Sequence, residues 1–219
     1  MASLALVPSV FAYGTVFGGL AVQAGLTPLE ALGMSVFVFA GAAQFVAVPM
    51  LAGGASPLAI TVTTFVVNMR HYLMAATLAP AFRGFRRGWL ALVAHVVNDE
   101  SFALTVSRKE GPDPWFYLGT AAGIAGAFLA GVAVGVRLGG LVEDPARYGL
   151  DFAFPAVFIA LVAMQLRRRA DWFVALAAAA LGVAIALVLA DNWHIVIAGI
   201  AVSAVAAWLL PPESAGPPP

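Results

Sequence analysis

The stretch that decides the fold is Pro57–Phe82, PLAITVTTFVVNMRHYLMAATLAPAF, which carries Asn68-Met69-Arg70-His71 near its middle. Apart from these four residues the stretch is apolar or carries only hydroxyls, and it is long enough to cross a bilayer as a helix. A charged side chain at the centre of a membrane helix costs about 2.5–3.5 kcal/mol on insertion scales, and Arg cannot lose its proton to avoid that cost. We therefore expect Arg70 to face protein or water and to have an anionic partner.

The next segment, GWLALVAHVVNDESFALTVS, offers that partner because it carries Asn98-Asp99-Glu100 near its own middle. Arg70 lies 15 residues before Phe85, in the basic turn between the two segments, and Asp99 lies 14 residues after it. At about 1.5 Å per helical residue, both would lie roughly 21–23 Å from the turn, at nearly the same depth. The pairing has two interpretations, a polar site used in transport and a salt bridge that only locks two helices together. Ionisable groups inside membranes favour the first.

The composition is that of an integral membrane protein. The 219 residues are 62% hydrophobic and 10% charged, with a mean hydropathy of +0.95, whereas soluble domains carry about 25% charge. The net charge of zero indicates no surface for nucleic acid, and the absence of cysteine excludes disulfides and thiolate metal sites. We expect one integral membrane transport domain over residues 1–210 and a disordered Pro-rich tail over residues 211–219.

The hydropathy pattern predicts an all-α polytopic membrane protein with seven to eight transmembrane helices, some of them broken or re-entrant near the bilayer midplane. Eight hydrophobic segments support this prediction: Leu4–Ala24, Leu29–Ala52, Pro57–Phe82, Gly88–Ser107, Trp115–Leu138, Asp151–Leu166, Ala170–Ala190 and Trp193–Leu210. In the second segment Gly41 and Pro49 flank Gln44. The helix is therefore either unwound there, lining a cavity with freed backbone groups, or simply kinked at Pro49 and packed by small residues.

Basic clusters constrain the topology, because Lys and Arg concentrate on the cytoplasmic side of membrane proteins. The clusters are Arg83–Arg87, Arg108-Lys109 and Arg167–Arg169. All three lie on one side if segment 88–107 enters the membrane and returns without crossing; alternatively, one cluster breaks the rule. Segment 115–138 carries a small residue at every fourth position, which predicts a close-packing helix face about five turns long. The small residues are Gly119, Gly123, Ala127, Gly131, Gly135 and Gly139.

The motifs AVQAGLTPLEAL, FAGAAQFVAV, NMRHYLM, NDESFAL and DFAFPAVFIAL, in this order between Leu4 and Arg169, resemble the AzlC family. This resemblance implies the large subunit of a bacterial branched-chain amino acid exporter in the inner membrane, moving Val, Leu, Ile and also Met. It further implies a small AzlD-type membrane subunit as partner and coupling to protons rather than to ATP. A homo-oligomer stays open, and no nucleic acid partner or cofactor is implied.

The resemblance and the intramembrane polar positions together nominate the substrate-binding or coupling residues, which are Gln44, Asn68, Arg70, His71, Asn98, Asp99, Glu100, Asp151 and Pro155. An amino acid substrate needs an anionic group for its ammonium, which Asp99 or Glu100 supplies. Its carboxylate needs donors, either Arg70 or backbone N–H groups near Gly41–Gln44. We expect Asp99 to pair with Arg70 and Glu100 to titrate, with His71 either relaying protons or hydrogen-bonded structurally.

Three other readings compete with a coupled exporter. The first two are an uncoupled facilitator or channel and a non-catalytic structural subunit whose polar clusters only lock helices. The third, an intramembrane enzyme, is disfavoured because the sequence has no HExxH, GxSxG or GxxxxGK[ST] motif. We therefore expect no catalytic residues and no metal site.

Overall fold

The computed structural model describes residues 6–141, 168–189 and 193–209, together with single positions between 152 and 166. Within these residues the chain forms nine α-helices, one 3-10 turn and no strand, which confirms the predicted all-α class. The helices are α1 (Val7–Gln23), α2 (Pro28–Phe37), α3 (Gly41–Ala52), α4 (Pro57–Leu78, followed by the 3-10 turn Ala79–Phe82), α5 (Arg87–His95), α6 (Asp99–Val106), α7 (Pro114–Gly139), α8 (Arg169–Ala186) and α9 (Trp193–Leu209).

Helices α1 and α7 form the central scaffold, packed so closely that backbone meets backbone. A Cβ added at Gly131 would collide with the carbonyl oxygen of Phe11, and one at Gly135 with that of Thr15. On the α1 side, Gly14 and Gly18 lie equally close to α7. The two helices run in the same direction because the contacts advance along both together: Phe11 meets Gly131, and Thr15 meets Gly135. The close-packing face predicted on α7 is confirmed only in its C-terminal half.

The N-terminal half of that face has no other helix against it among the described residues. Within them, nothing lies within 4 Å of a Cβ added at Gly119 or Gly123. The regular spacing continues there, but α1 begins only at Val7, too far along α7 to cover it. Packing of this half on a helix outside the described residues, in this chain or in a partner, stays a prediction.

The second hydrophobic segment is not one helix but a hairpin, α2 and α3, broken at residues 38–40. Phe39 adopts a positive φ of 43°, which a bulky side chain rarely tolerates. Helix α2 follows α1 through a short turn and so runs antiparallel to it. Helix α3 then runs parallel to α1, since Gly41 abuts Tyr13 while the Phe45 ring lies 4.6 Å from Tyr13 and 5.4 Å from Phe17.

Helix α3 therefore ends at the same end of the molecule as the start of α2. Of the two possibilities left open by the sequence, an unwound stretch lining a cavity is the one observed. The break precedes Gly41, however, and Pro49 lies inside α3 rather than at the interruption. Proline within the segment is thus not what breaks the helix.

The fourth hydrophobic segment forms a second hairpin, α5 and α6, broken at residues 96–98, which confirms the expected irregular segment. Trp89, in the first turn of α5, lies 6.4 Å from Trp115, in the first turn of α7, measured between ring centroids. Helix α6 packs on α7 and joins it through a short loop, so the two run antiparallel. Segment 88–107 therefore starts and ends at the same end of the molecule, and the basic residues 83–87 and 108–109 lie together there.

The two hairpins enter from opposite ends and their tips meet. The His95 ring nitrogen Nε2 lies 2.8 Å from the carbonyl oxygen of Val36, a group left without a helical partner by the first break. The rings of His95 and Phe39 lie 6.3 Å apart. His95 thus connects the end of α5 with the end of α2.

Two of the described helices, α7 and α8, have both the length and the apolar composition to cross a bilayer on their own. Helices α8 and α9 pack against each other, and α9 also contacts α4. The broken segments divide into helices too short for this criterion. The number of spans, seven to eight, therefore remains a prediction.

Candidate functional site

A cavity of about 550 Å³ lies where the two hairpin tips meet α1, α4 and α7. Its volume falls within the range of roughly 300–1,000 Å³ typical of small-molecule sites. One part of its wall is polar and the rest is aliphatic or aromatic. The lining residues are Ser9, Val10, Tyr13, Phe39, Ala40, Gly41, Ala42, Val67, Arg70, His71, Asn98, Asp99, Glu100, Ile124, Phe128 and Val162.

The predicted ion pair is present in the cavity wall. The Arg70 Nη2 atom of α4 lies 2.8 Å from the Asp99 Oδ2 atom of α6. The two side chains are 39% and 46% exposed, so the pair faces open space rather than a dry interior. Exposed ion pairs contribute about 0–1 kcal/mol, and a lock between two helices alone does not require such an open position.

The second break places two carboxylates at the start of α6. Asn98 caps this helix, since its Oδ1 accepts a hydrogen bond from the Ser101 backbone N–H at 2.9 Å. Its Nδ2 donates to the Val96 carbonyl at 3.0 Å, which holds the break in shape. Asp99 and Glu100 then occupy the first turn, where the helix dipole stabilises negative charge. Of these two carboxylates, only that of Asp99 forms a salt bridge within the described residues.

The first break leaves the start of α3 uncapped. The residue before it, Ala40, has no side chain that can accept a hydrogen bond, and the helical bonds begin with Gln44 N–H to the Ala40 carbonyl at 2.9 Å. The backbone N–H groups of Gly41–Ala43 make no recorded hydrogen bond within the described part of the chain. Because Ala40, Gly41 and Ala42 line the cavity, this partly positive helix end borders it.

Five of the nine nominated residues come together at the cavity, namely Arg70, His71, Asn98, Asp99 and Glu100. Gln44 does not line it: the side chain is fully buried, and its Nε2 donates to the Ser35 hydroxyl at 3.1 Å. Gln44 therefore joins the two arms of the first hairpin. The Asn68 Oδ1 is buried without a hydrogen-bond partner among the described residues. Asp151 and Pro155 lie outside the described residues.

Sequence reasoning missed the contributions of α1 and α7 to the cavity. Tyr13 abuts Gly41 at the first break, and Ile124 and Phe128 supply an apolar wall. Tyr13 could have been found as the one tyrosine of the first hydrophobic segment. Phe39 also lines the cavity, whereas Phe45 is buried in the core.

The described residues contain no group of three or more His, Asp or Glu side chains arranged to hold a metal ion. What the cavity offers instead is charge of both signs beside an apolar wall. Such a surface can bind a small zwitterion without covalent chemistry.

Comparison with known proteins gives one family. The family model described as AzlC protein matches residues 5–142. An uncharacterized membrane protein of Helicobacter pylori is 32% identical over 159 residues, covering 71% of this chain and 68% of the relative. No solved structure matches.

Two further relatives carry more informative names. The branched-chain amino acid transport protein AzlC of Bacillus subtilis is 28% identical over 195 residues, covering 88% of this chain and 76% of the relative. The inner membrane protein YgaZ of Escherichia coli is 29% identical over 176 residues, covering 76% and 71%. The range matched by the family model, residues 5–142, contains both hairpins and the scaffold helices α1 and α7.

Proposed function

The chain belongs to the AzlC family of membrane proteins, and from that premise we propose that it is the large subunit of a two-component exporter of branched-chain amino acids. It carries Val, Leu and Ile, and also Met, out of the cell through the cytoplasmic membrane of a bacterium. Residues 1–210 form the single transport domain, which crosses the membrane several times and works with a small AzlD-type subunit. The observation that carries the proposal is the cavity between two opposed hairpin tips of complementary charge.

The zwitterion is oriented by the two helix starts. Its ammonium binds the Glu100 carboxylate, which forms no salt bridge within the described residues. Its carboxylate binds the N–H groups at the start of α3, which make no hydrogen bond within the described residues, much as carboxylates bind half-helix ends in other transporters. Arg70 is less suited to that role because its guanidinium already contacts Asp99 at 2.8 Å. The branched side chain packs on Ile124 and Phe128.

Coupling to protons requires a group at this site that changes its charge during the cycle. Asn68 carries no titratable proton, and Asp99 is held by Arg70. Glu100 is therefore the group we assign to proton binding. When Glu100 is protonated it no longer attracts the ammonium, so proton entry and amino acid release become linked events.

The test is transport of labelled leucine in proteoliposomes containing the chain with and without its small partner. A coupled exporter accumulates leucine against its gradient when a pH gradient is imposed, and the accumulation collapses when a protonophore is added. An uncoupled facilitator equilibrates leucine but never accumulates it. A structural subunit gives no transport with any partner. Either of the last two results would overturn the proposal.

A further inference from the structure

A second hollow, of about 400 Å³, lies at the basic end of the molecule, at the start of α5. It is lined by Arg86, Gly88, Trp89 and Leu92. It is separate from the central cavity, with which it shares no lining residue. Gly88 leaves the hollow open, since no atom of the described residues lies within 4 Å of a Cβ added there. The wall thus combines one cation, one indole and one aliphatic side chain.

The charge at this hollow is unbalanced. Arg83, Arg86 and Arg87 lie within five residues, and the sequence has no Asp or Glu between Arg70 and Asp99. The two salt bridges recorded among the described residues use Arg70 and Arg108. All three arginines of the turn are exposed. Within the described part of the chain these three arginines form no salt bridge, because the acidic residues of this end, Glu110 and Asp113, contact Arg108 and cap α7 respectively.

The aromatic residues around the hollow indicate its depth in the membrane. The Trp115 ring lies 5.7 Å from Phe85 and 6.4 Å from Trp89, so the starts of α5 and α7 share an aromatic cluster. Tryptophans of membrane proteins concentrate at the level of the lipid headgroups. Leu92 lies about one helical turn deeper than Trp89, towards the hydrocarbon. Trp89 and Leu92 remain 46% and 47% exposed.

We infer that this hollow binds an anionic phospholipid. The guanidinium of Arg86 contacts the phosphate, for which its planar fork is suited, and Arg83 and Arg87 add long-range attraction. The glycerol backbone and the first methylenes of one acyl chain lie along Trp89 and Leu92. A soluble polyanion fits less well, because it would leave the apolar side chains of Trp89 and Leu92 exposed to water.

The inference is tested by native mass spectrometry of the purified full chain, titrated with phosphatidylglycerol or phosphatidylcholine. We expect clear preference for phosphatidylglycerol. Arg86→Gln should weaken its binding about fivefold, the effect of one basic residue near an anionic surface. Arg108→Gln is the matched control, because Arg108 lies at the same end but already contacts Glu110 and stacks 4.4 Å from the Phe116 ring centroid.

Three results would overturn the inference. Equal binding of the two lipids would remove the need for an anionic headgroup. Equal losses in Arg86→Gln and Arg108→Gln would indicate diffuse attraction rather than a site. Displacement of the lipid by millimolar inorganic phosphate would assign the hollow to a free anion.

A second variant tests the apolar part of the hollow. Leu92→Ala, which keeps every charge, should weaken phosphatidylglycerol binding as well, whereas a site that binds only the anion predicts no change and would also overturn the inference.

Discussion

The two hairpin tips share one architecture, but the helices that start at them, α3 and α6, differ in capping and in charge at their first turn. Both break a hydrophobic segment and start a new helix at the central cavity. At the first tip the new helix follows Ala40, and no side chain among the described residues caps its N–H groups. At the second, Asn98 caps the helix and two carboxylates fill its first turn. One tip is thus electropositive and the other electronegative.

Under the proposed function, the opposite charges of the two tips explain why two breaks bind an amino acid better than one break would. A zwitterion carries its two charges only a few ångströms apart, and the tips present the complementary charges on two sides of one cavity. Arg70 and Asp99 then serve the second tip, holding α4 against it at 2.8 Å. The predictions that follow alter one tip at a time.

The largest effect is expected from Glu100→Gln, which makes the second tip less negative without changing its shape. Removing one partner of a close charge pair costs about 2–5 kcal/mol, so leucine affinity should fall at least about thirtyfold. Equilibrium binding of labelled leucine to the purified chain measures it. Glu110→Gln, in the exposed loop after α6, is the control and should bind as the unaltered chain does.

Replacing Arg70 and Asp99 together, by Gln and Asn, should lower transport roughly tenfold, because Glu100 loses the support that orients it. The initial rate of leucine transport in proteoliposomes measures this, with the amount of folded protein checked in parallel. If the pair only locked α4 to α6, the double variant would be less stable yet transport at nearly the normal rate. That outcome would contradict the functional reading of the second tip.

Gly41→Ala alters the first tip. The added methyl group would lie 2.9 Å from the Tyr13 Cε1 atom, so the Tyr13 ring must move into the cavity or α3 must shift. We expect a several-fold rise in the leucine concentration needed for half-maximal transport. Gly33→Ala in α2 is the matched control, since its methyl group would contact none of the described residues. Equal effects of the two changes would disconnect the first tip from binding.

The smallest effect is expected from Asn98→Ala, which removes the cap of the second tip. Loss of such a cap costs about 1 kcal/mol of stability. A thermal unfolding scan in detergent should show a lower midpoint, and Asn98→Ser, which keeps an acceptor, should recover most of it. No comparable loss is expected at Ala40, because that helix has no cap to lose.

The same two tips divide what the sequence could and could not predict. The Arg70–Asp99 pair was predictable because an unpaired charge inside a membrane is costly enough to demand a partner. The polar break at Asn98 was predictable for a related reason, since three polar residues interrupt an apolar run. Such arguments need only the free-energy cost of placing a polar residue in a membrane and the position of that residue within its segment.

The first tip gave no such signal. Its break falls at Phe39, a residue that disfavours positive φ, while the more suggestive Gly41 and Pro49 lie inside α3. Contacts from α1 and α7 decide the position, and those are set by glycine faces far away in sequence. Tyr13 was missed for the same reason, because it lies far from the first tip in sequence. Gln44 connects α2 with α3 because the chain reverses between these helices and brings Gln44 to Ser35.

The most direct measurement is competition for bound labelled leucine by two analogues, 4-methylpentanoate, which lacks the ammonium, and 3-methylbutylamine, which lacks the carboxylate. The unaltered chain should reject both. Glu100→Gln should narrow the gap between leucine and 4-methylpentanoate while still rejecting the amine, and Gly41→Ala should do the reverse. If both variants lose affinity for all three compounds in the same proportion, the two tips do not divide the charges of the substrate between them.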